Sequence, residues 1–327
     1  MKALRQLLAA CVCASVFICG ASFGADASAT TIKEVPKDLV LKGDAKCSAC
    51  HDEADAPKAL TIGKTRHGTA ADGRTPTCTS CHGDSNSHVD YKGSAKPPKP
   101  DRTFGRKSQQ TAAEKSAACT SCHIGGNHMN WNSSAHASRD VACTSCHEVH
   151  TGHDKVRDKR TQPEVCFTCH KQQRADIDKP SHHPITEGKM TCSDCHNPHG
   201  STGPKMLIKD SVTATCFTCH AEKRGPFVHN HAPVREDCSN CHNPHGTVAA
   251  SLLKTRPPFL CQQCHDPANH LGTIPGVAGK VNTAAAGGIN GLNAVGITQG
   301  RACLNCHTEI HGSNSSANAS KAQRFWR

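Results

Sequence analysis

The apolar positions of this chain form one long block, followed by almost no periodic pattern. Residues 7–23 are a near-continuous apolar run behind Lys2 and Arg5, and small residues follow. That order predicts a secretory signal peptide over residues 1–25, with cleavage contexts at Ser22-Phe23-Gly24 and Ala25-Asp26-Ala27. As a transmembrane anchor the run is short. Leu8-Ala9-Ala10-Cys11 has the outline of a lipoprotein box but stands too early, with almost no apolar region before it. No later stretch is apolar enough for a helical span, and no alternation marks a strand. Short helices are expected around residues 112–123 and 165–175. Residues 92–109, which begin Lys-Gly-Ser-Ala-Lys-Pro-Pro-Lys-Pro, read as an extended, polyproline-like surface segment. Residues 272–300 are rich in Gly, Ala, Asn and Val, with Lys280 their one charge. They read as a flexible loop, suited equally to a spacer or a partner contact. The Ser/Asn-rich tail 312–327 reads as disordered, with Phe325 and Trp326 available to dock.

Composition explains the missing pattern. The 327 residues include 23 Cys and 24 His but only 3% aromatics, with Tyr91 the single Tyr and Trp131 and Trp326 the two Trp. Such a chain cannot build a large core from its own side chains, so another group must supply the buried apolar mass.

The cysteines identify that group. Cys11, Cys13 and Cys19 lie in the signal segment, and each of the other twenty belongs to a Cys-x-x-Cys-His unit. The pairs are Cys47 and Cys50, Cys78 and Cys81, Cys119 and Cys122, Cys143 and Cys146, Cys166 and Cys169, Cys192 and Cys195, Cys216 and Cys219, Cys238 and Cys241, Cys261 and Cys264, and Cys303 and Cys306. Their histidines are His51, His82, His123, His147, His170, His196, His220, His242, His265 and His307. This is the c-type haem attachment signature. Two thiols three residues apart reach the two vinyl groups of one porphyrin, and the next side chain lies under its iron as the proximal ligand. Disulfides and zinc ribbons also use paired cysteines, but neither requires a histidine directly after the second one. The motif count therefore predicts ten haem c groups.

Fourteen histidines remain for the opposite face of each iron. The best candidates are His67, His88, His136, His150, His183, His199, His231, His245, His270 and His311. The segments 143–170, 192–220 and 238–265 are three copies of a two-haem unit, each opening Cys-x-x-Cys-His-x-x-His and so giving His150, His199 and His245. His136 and His231 precede the first Cys of their repeats by seven residues, and His183 precedes its own by nine. His67 and His311 share the His-Gly context of the repeats. His128, His153, His182 and His229 are left as spares, and Met129 is the one methionine in a position to compete. This supply predicts bis-histidine irons, saturated and suited to electron transfer.

The sites divide five and five, giving an N-terminal half at 26–185 and a C-terminal half at 186–327. The fold class expected is a multihaem cytochrome c, mostly coil with short α-helices and little or no β, elongated as a haem wire of two pentahaem halves. From Cys119 to Cys261 successive motifs start 22–26 residues apart, so neighbouring sites must lie close together. The formal charge of +11 falls to +9 without Lys2 and Arg5. A ferric haem with ionised propionates carries about −1, so ten of them bring the total close to zero. The basic residues then offset propionates, and nucleic acid is not an implied partner.

Met190-Thr-Cys-Ser-Asp-Cys-His-Asn-Pro-His-Gly200, His220-Ala-Glu-Lys-Arg-Gly-Pro226 and Cys303-Leu-Asn-Cys-His through His311-Gly-Ser-Asn314 carry a further likeness. With the ten motifs, they make the mature chain resemble the periplasmic decahaem cytochromes of outer-membrane porin–cytochrome conduits. These are of the Mtr/Mto type, with a DmsE-like relative in extracellular dimethyl sulfoxide respiration. The resemblance implies a wire sheathed by an outer-membrane β-barrel porin. It would be fed by periplasmic or inner-membrane cytochromes and end at an extracellular cytochrome, a mineral or Fe(II). Two other functions share the motifs. One is a soluble periplasmic electron shuttle to a terminal reductase. The other is a multihaem enzyme, which needs an open iron often marked by Cys-x-x-Cys-Lys, and that motif does not occur here.

Overall fold

The computed structural model describes residues 44–68, 74–265, 303–305, 307–315 and 325. The signal segment, the loop 272–300, Cys306 and His270 lie outside the described residues.

The described chain is mostly coil, punctuated by helical pieces of one or two turns. The longest, Ala112–Thr120, starts where the sequence places a capping box: Thr111 Oγ1 accepts the Glu114 N–H, and the Glu114 carboxylate accepts the Thr111 N–H. The helix expected over 165–175 is divided in two. Gln162–Phe167 and Lys171–Ile177 are separated at His170, whose ψ of 65° lies outside the helical range. Residues 92–109 carry neither helix nor strand, as expected. The only sheet among the described residues is two short antiparallel strands, His229–Asn230 with Gly312–Ser313. Gly312 and Ser313 were read from sequence as the start of a disordered tail. They are instead buried in this pairing, and Phe325 packs on the His231 ring at 5.6 Å.

The motifs alternate between two local settings. Those starting at Cys119, Cys166, Cys216 and Cys261 sit at the end of a short helix. Those starting at Cys143, Cys192, Cys238 and Cys303 open a 3₁₀ turn. Side chains hold several of these turns at their start. Thr191 N–H donates to the Asp194 carboxylate, Ser239 N–H to Asp237, and buried Asp44 accepts the N–H of Cys78. Asp44 thereby ties the first motif to the second.

Apolar packing is sparse. Among the described residues Phe167, Ile177 and Ile185 form the one buried apolar cluster, with Met190 against it. Trp131, Ala142, Ala249 and Leu253 are buried singly, and buried polar residues outnumber the apolar ones among the described residues. Segments on either side of the 185/186 boundary are interlocked: Ser181 bridges Thr247, and His136 Nδ1 donates to the Pro198 carbonyl.

Candidate functional site

Each motif closes one helical turn. The histidine N–H donates to the carbonyl of the first cysteine at 2.9–3.1 Å, for example His51 to Cys47, His147 to Cys143 and His242 to Cys238. One turn brings residues i, i+3 and i+4 to one side, so both thiols and the imidazole share a face.

Across the chain, nine of these imidazoles face one of the candidate histidines, and His123 also has His128 at 5.5 Å. Ring centres are 6.0 Å apart for His51 with His88, His67 with His123 and His231 with His265. They are 6.1 Å apart for His82 with His150, His136 with His170, His147 with His199, His196 with His245 and His242 with His311. For His183 with His220 the separation is 6.3 Å. Every pair joins one motif histidine to one of the candidates chosen from sequence. The tenth motif histidine, His307, is described, whereas the remaining candidate, His270, is not.

A separation near 6 Å matches a metal ion held between two imidazoles. Metal–nitrogen bonds of about 2 Å on both faces, plus the radius of each ring, sum to roughly this distance. Nitrogen chemistry agrees. Nδ1 is tied in eight of the paired rings: His82, His88, His136, His147, His150, His183, His196 and His242. Each acceptor is a carbonyl or carboxylate oxygen, so Nδ1 must carry the proton and Nε2 is left as a lone-pair donor. Burial, and after it the neighbouring imidazoles His128 and His147, lowers the pKa of His199 to about 4. Burial likewise lowers His245 and His311. A neutral imidazole is the metal-binding form.

The partners follow a rule that local sequence does not reveal. Motifs two, four, six and eight pair with the histidine trailing the motif two places further on, which gives His150, His199, His245 and His311. Motifs three, five, seven and nine pair with the histidine ahead of the preceding motif, which gives His67, His136, His183 and His231. Backbone carbonyls lock the two sets together. His136 Nδ1 donates to Pro198 at 2.8 Å, one residue before His199, and His183 Nδ1 donates to Pro244 at 2.7 Å, one residue before His245. His231 bonds the backbone of Ile310, one residue before His311.

The thiols run in the same order. First cysteines meet within the pairs Cys47 and Cys78, Cys119 and Cys143, Cys166 and Cys192, Cys216 and Cys238, and Cys261 and Cys303. Second cysteines come within electrostatic reach at the intervening junctions: Cys81 and Cys122, Cys146 and Cys169, Cys195 and Cys219, and Cys241 and Cys264. Motif n thus neighbours motif n+1 along the whole row. Zinc ribbons are a poor account of these thiols. Among the described residues the one cluster of three metal donors is Asp44, Cys47 and Cys78, whereas a structural zinc takes four ligands.

Three of the four spares stand apart from these pairs, whereas His128 lies between two of them, 5.5 Å from His123 and 4.3 Å from His199. His153 approaches Asp158 at 3.7 Å, His182 bonds the Lys179 carbonyl and Glu187, and His229 lies in the small sheet. His128 packs 4.3 Å from His199, close enough for ring contact and too close for a metal between them. Sequence reasoning missed Asp154, whose carboxylate accepts the His147 Nδ1 proton at 2.7 Å. Comparing the repeats offers a signal, because His196 and His242 use the carbonyls nine residues on, those of Lys205 and Ser251.

The glycine of Asn-Pro-His-Gly is also required. Gly200 has φ +103° and Gly246 has φ +154°, and a Cβ on either would collide with a backbone carbonyl, that of Asn130 or Asp176. Gly246→Ala is expected to destabilise the holoprotein by about 2–3 kcal/mol. An unchanged Tm would refute the clash.

Two family descriptions match the chain. Doubled CXXCH motif covers residues 182–225 and 231–270. Cytochrome c-type protein NrfB-like covers residues 78–162. The multihaem cytochrome MtrA of Shewanella baltica strain OS185 is 45% identical over 277 residues, which is 84% of this chain and 79% of that protein.

Proposed function

The chain belongs to the MtrA family of multihaem cytochromes and so binds haem c and transfers electrons, and we propose that it does so as a ten-haem wire threaded through an outer-membrane β-barrel porin. The observation that carries the reading is the unbroken row of neighbouring motifs, nine of them with a second histidine about 6 Å across from the first. In this reading the two thiols of each motif anchor the ring, and the paired imidazoles hold its iron from both faces. When bound, haem c supplies one-electron chemistry without atom transfer. The protein's part is to fix the spacing and to fill both axial positions, which leaves no place for a substrate and argues for outer-sphere transfer over catalysis.

The backbone is compatible with a sheath. No described helix is long and apolar enough to cross a membrane, and an irregular backbone is tolerated at membrane depth only inside another protein. The chain is exported to the periplasm in this reading. It takes electrons from, or gives them to, periplasmic or inner-membrane cytochromes at one end. At the other end it meets an extracellular cytochrome, a mineral or Fe(II). The same row conducts either way, with direction set by the potentials of donor and acceptor.

Coulometric titration of the purified holoprotein is the first check, and ten electrons per chain are expected. Vesicles holding a reduced dye are the second. Oxidation by an external ferric chelate is expected only when the chain and an outer-membrane β-barrel porin that binds it are both present. Bleaching at the same rate without the porin would remove the sheath from the proposal.

A further inference from the structure

The paired histidines whose Nδ1 is hydrogen-bonded share one kind of acceptor except at one place, and the ring facing that place, His199, has its Nδ1 buried without a partner among the described residues. Of the eight with a hydrogen-bonded Nδ1, seven donate to a backbone carbonyl: His82 to Arg102, His88 to Pro98, His136 to Pro198, His150 to Ala59, His183 to Pro244, His196 to Lys205 and His242 to Ser251. The eighth, His147 of motif four, donates to the carboxylate of Asp154 at 2.7 Å. His220 comes within 3.7 Å of the Glu222 carboxylate, beyond hydrogen-bond distance, and both of its partners are exposed. Asp154 is better enclosed, with a side chain 16% exposed. Its second oxygen accepts the Glu148 N–H, and its own carbonyl accepts the Arg157 N–H. Among the described residues the carboxylate forms no ion pair with lysine or arginine, so its charge is aimed at His147.

A carboxylate acceptor does two things to a ligating imidazole. It fixes ring orientation, as a carbonyl does, and it raises the basicity of the ligating nitrogen far more, because the donated proton is drawn toward a full negative charge. A more basic axial ligand stabilises Fe(III) relative to Fe(II) and lowers the reduction potential. Asp154 also adds a fixed negative charge close to the iron, which acts in the same direction.

We propose that Asp154 is a positioning residue that makes the site of Cys143, Cys146, His147 and His199 the lowest in potential along the row. The step it governs is one electron passing from a neighbouring ferrous haem c to the ferric iron held by His147, with no bond made or broken. As an interior site of lowest potential, motif four sets the uphill step that an electron meets whichever way it travels. This inference rests on His147 being an iron ligand.

The test uses the full-length holoprotein and its Asp154→Asn and Asp154→Glu variants, with haem counted by pyridine haemochrome. In spectroelectrochemical titration, Asp154→Asn is expected to move the most negative one-electron component upward by at least about tenfold in its equilibrium constant, about 59 mV for a one-electron couple. The other nine components should stay in place, and Asp154→Glu should keep the wild-type value. EPR of the oxidised protein adds an independent readout. One low-spin signal of about a tenth of the intensity should have its own g values in the wild type and lose them in Asp154→Asn. If Asp154→Asn loses haem, the wild type decides alone, through that distinct signal and a most negative component of one electron. Superimposed titrations at full haem content would overturn the role of Asp154 and leave the wire intact. A wild-type haem count below ten, with motif four empty, would overturn the wire itself.

Discussion

Produced in cells that lack c-type haem maturation, the chain is expected to be unfolded. Its far-UV circular dichroism should be that of coil, and limited proteolysis should be at least about tenfold faster than for the holoprotein. The reason lies in the core. Phe167, Ile177 and Ile185 make the single buried apolar cluster among the described residues. Burying such a side chain contributes about 1.5–3 kcal/mol, and ordering each backbone residue costs about 1–2 kcal/mol. A few clusters of this size cannot order a chain of this length. The helices cannot help either. The longest has nine residues, below the roughly 12–15 at which isolated helices become even marginal in water. The porphyrin faces must therefore be the missing core, and the thioethers and axial bonds its cross-links. A haem-free chain with native-like dichroism and protease resistance would show that the polypeptide folds by itself, and this account of its stability would fail.

How much of this the sequence reveals depends on the range of the interaction. The Cys-x-x-Cys-His turns are legible because all their chemistry lies within five residues. The capping box at Thr111 and Glu114 is legible for the same reason. Six of the ten candidate histidines came from the repeats and four from what remained, and nine of the ten stand opposite a motif histidine. Their pairing was not legible. His147 meets His199, 52 positions later, and His67 meets His123, 56 positions later. No hydrophobic period announces such a contact, because it brings together two imidazoles far apart in sequence rather than two apolar faces. Gly312–Ser313 was missed because a two-residue strand has no pattern to show, and its order depends on His229–Asn230 far away in sequence. Asp154 was missed because one aspartate in a loop of mixed charge looks like solvated surface until His147 is placed beside it.

The interleaved pairing has a mechanical consequence. Each two-motif repeat lends its trailing histidine to the motif two places back and its leading histidine to the motif just after its first. The carbonyl before a trailing histidine holds the leading histidine of the preceding repeat, as Pro198 holds His136 and Pro244 holds His183. The first site of each repeat is completed only by the trailing histidine of a later motif, so neighbouring repeats should form and fail together. Rigid spacing between irons is what a conducting row needs, and this coupling provides it without a conventional core.

Removing one of the paired histidines should therefore open an iron, whereas removing a spare should not. His199→Ala is the sharpest case, because His128 lies 4.3 Å from His199 and is the obvious rival. The 6.1 Å separation of His147 and His199 leaves room for an iron between them, and the 4.3 Å contact of His128 does not. In the wild type the proposed irons are closed, so the reduced protein is expected to bind no carbon monoxide. His199→Ala should bind one per chain, and about a tenth of the ferric EPR intensity should become high-spin. Electron transfer across porin-bearing vesicles should slow by at least about tenfold, because an interior site loses the ligand that sets its potential. His128→Ala, His153→Ala, His182→Ala and His229→Ala should each behave as wild type in all three measurements. Rescue is a hazard of the design, since His128 could swing into the space vacated by the His199 ring. The double variant His128→Ala with His199→Ala removes that route and must bind carbon monoxide if the pairing is right. Carbon monoxide binding by His128→Ala alone would move the ligand from His199 to His128 and break the rule that assigns partners along the row.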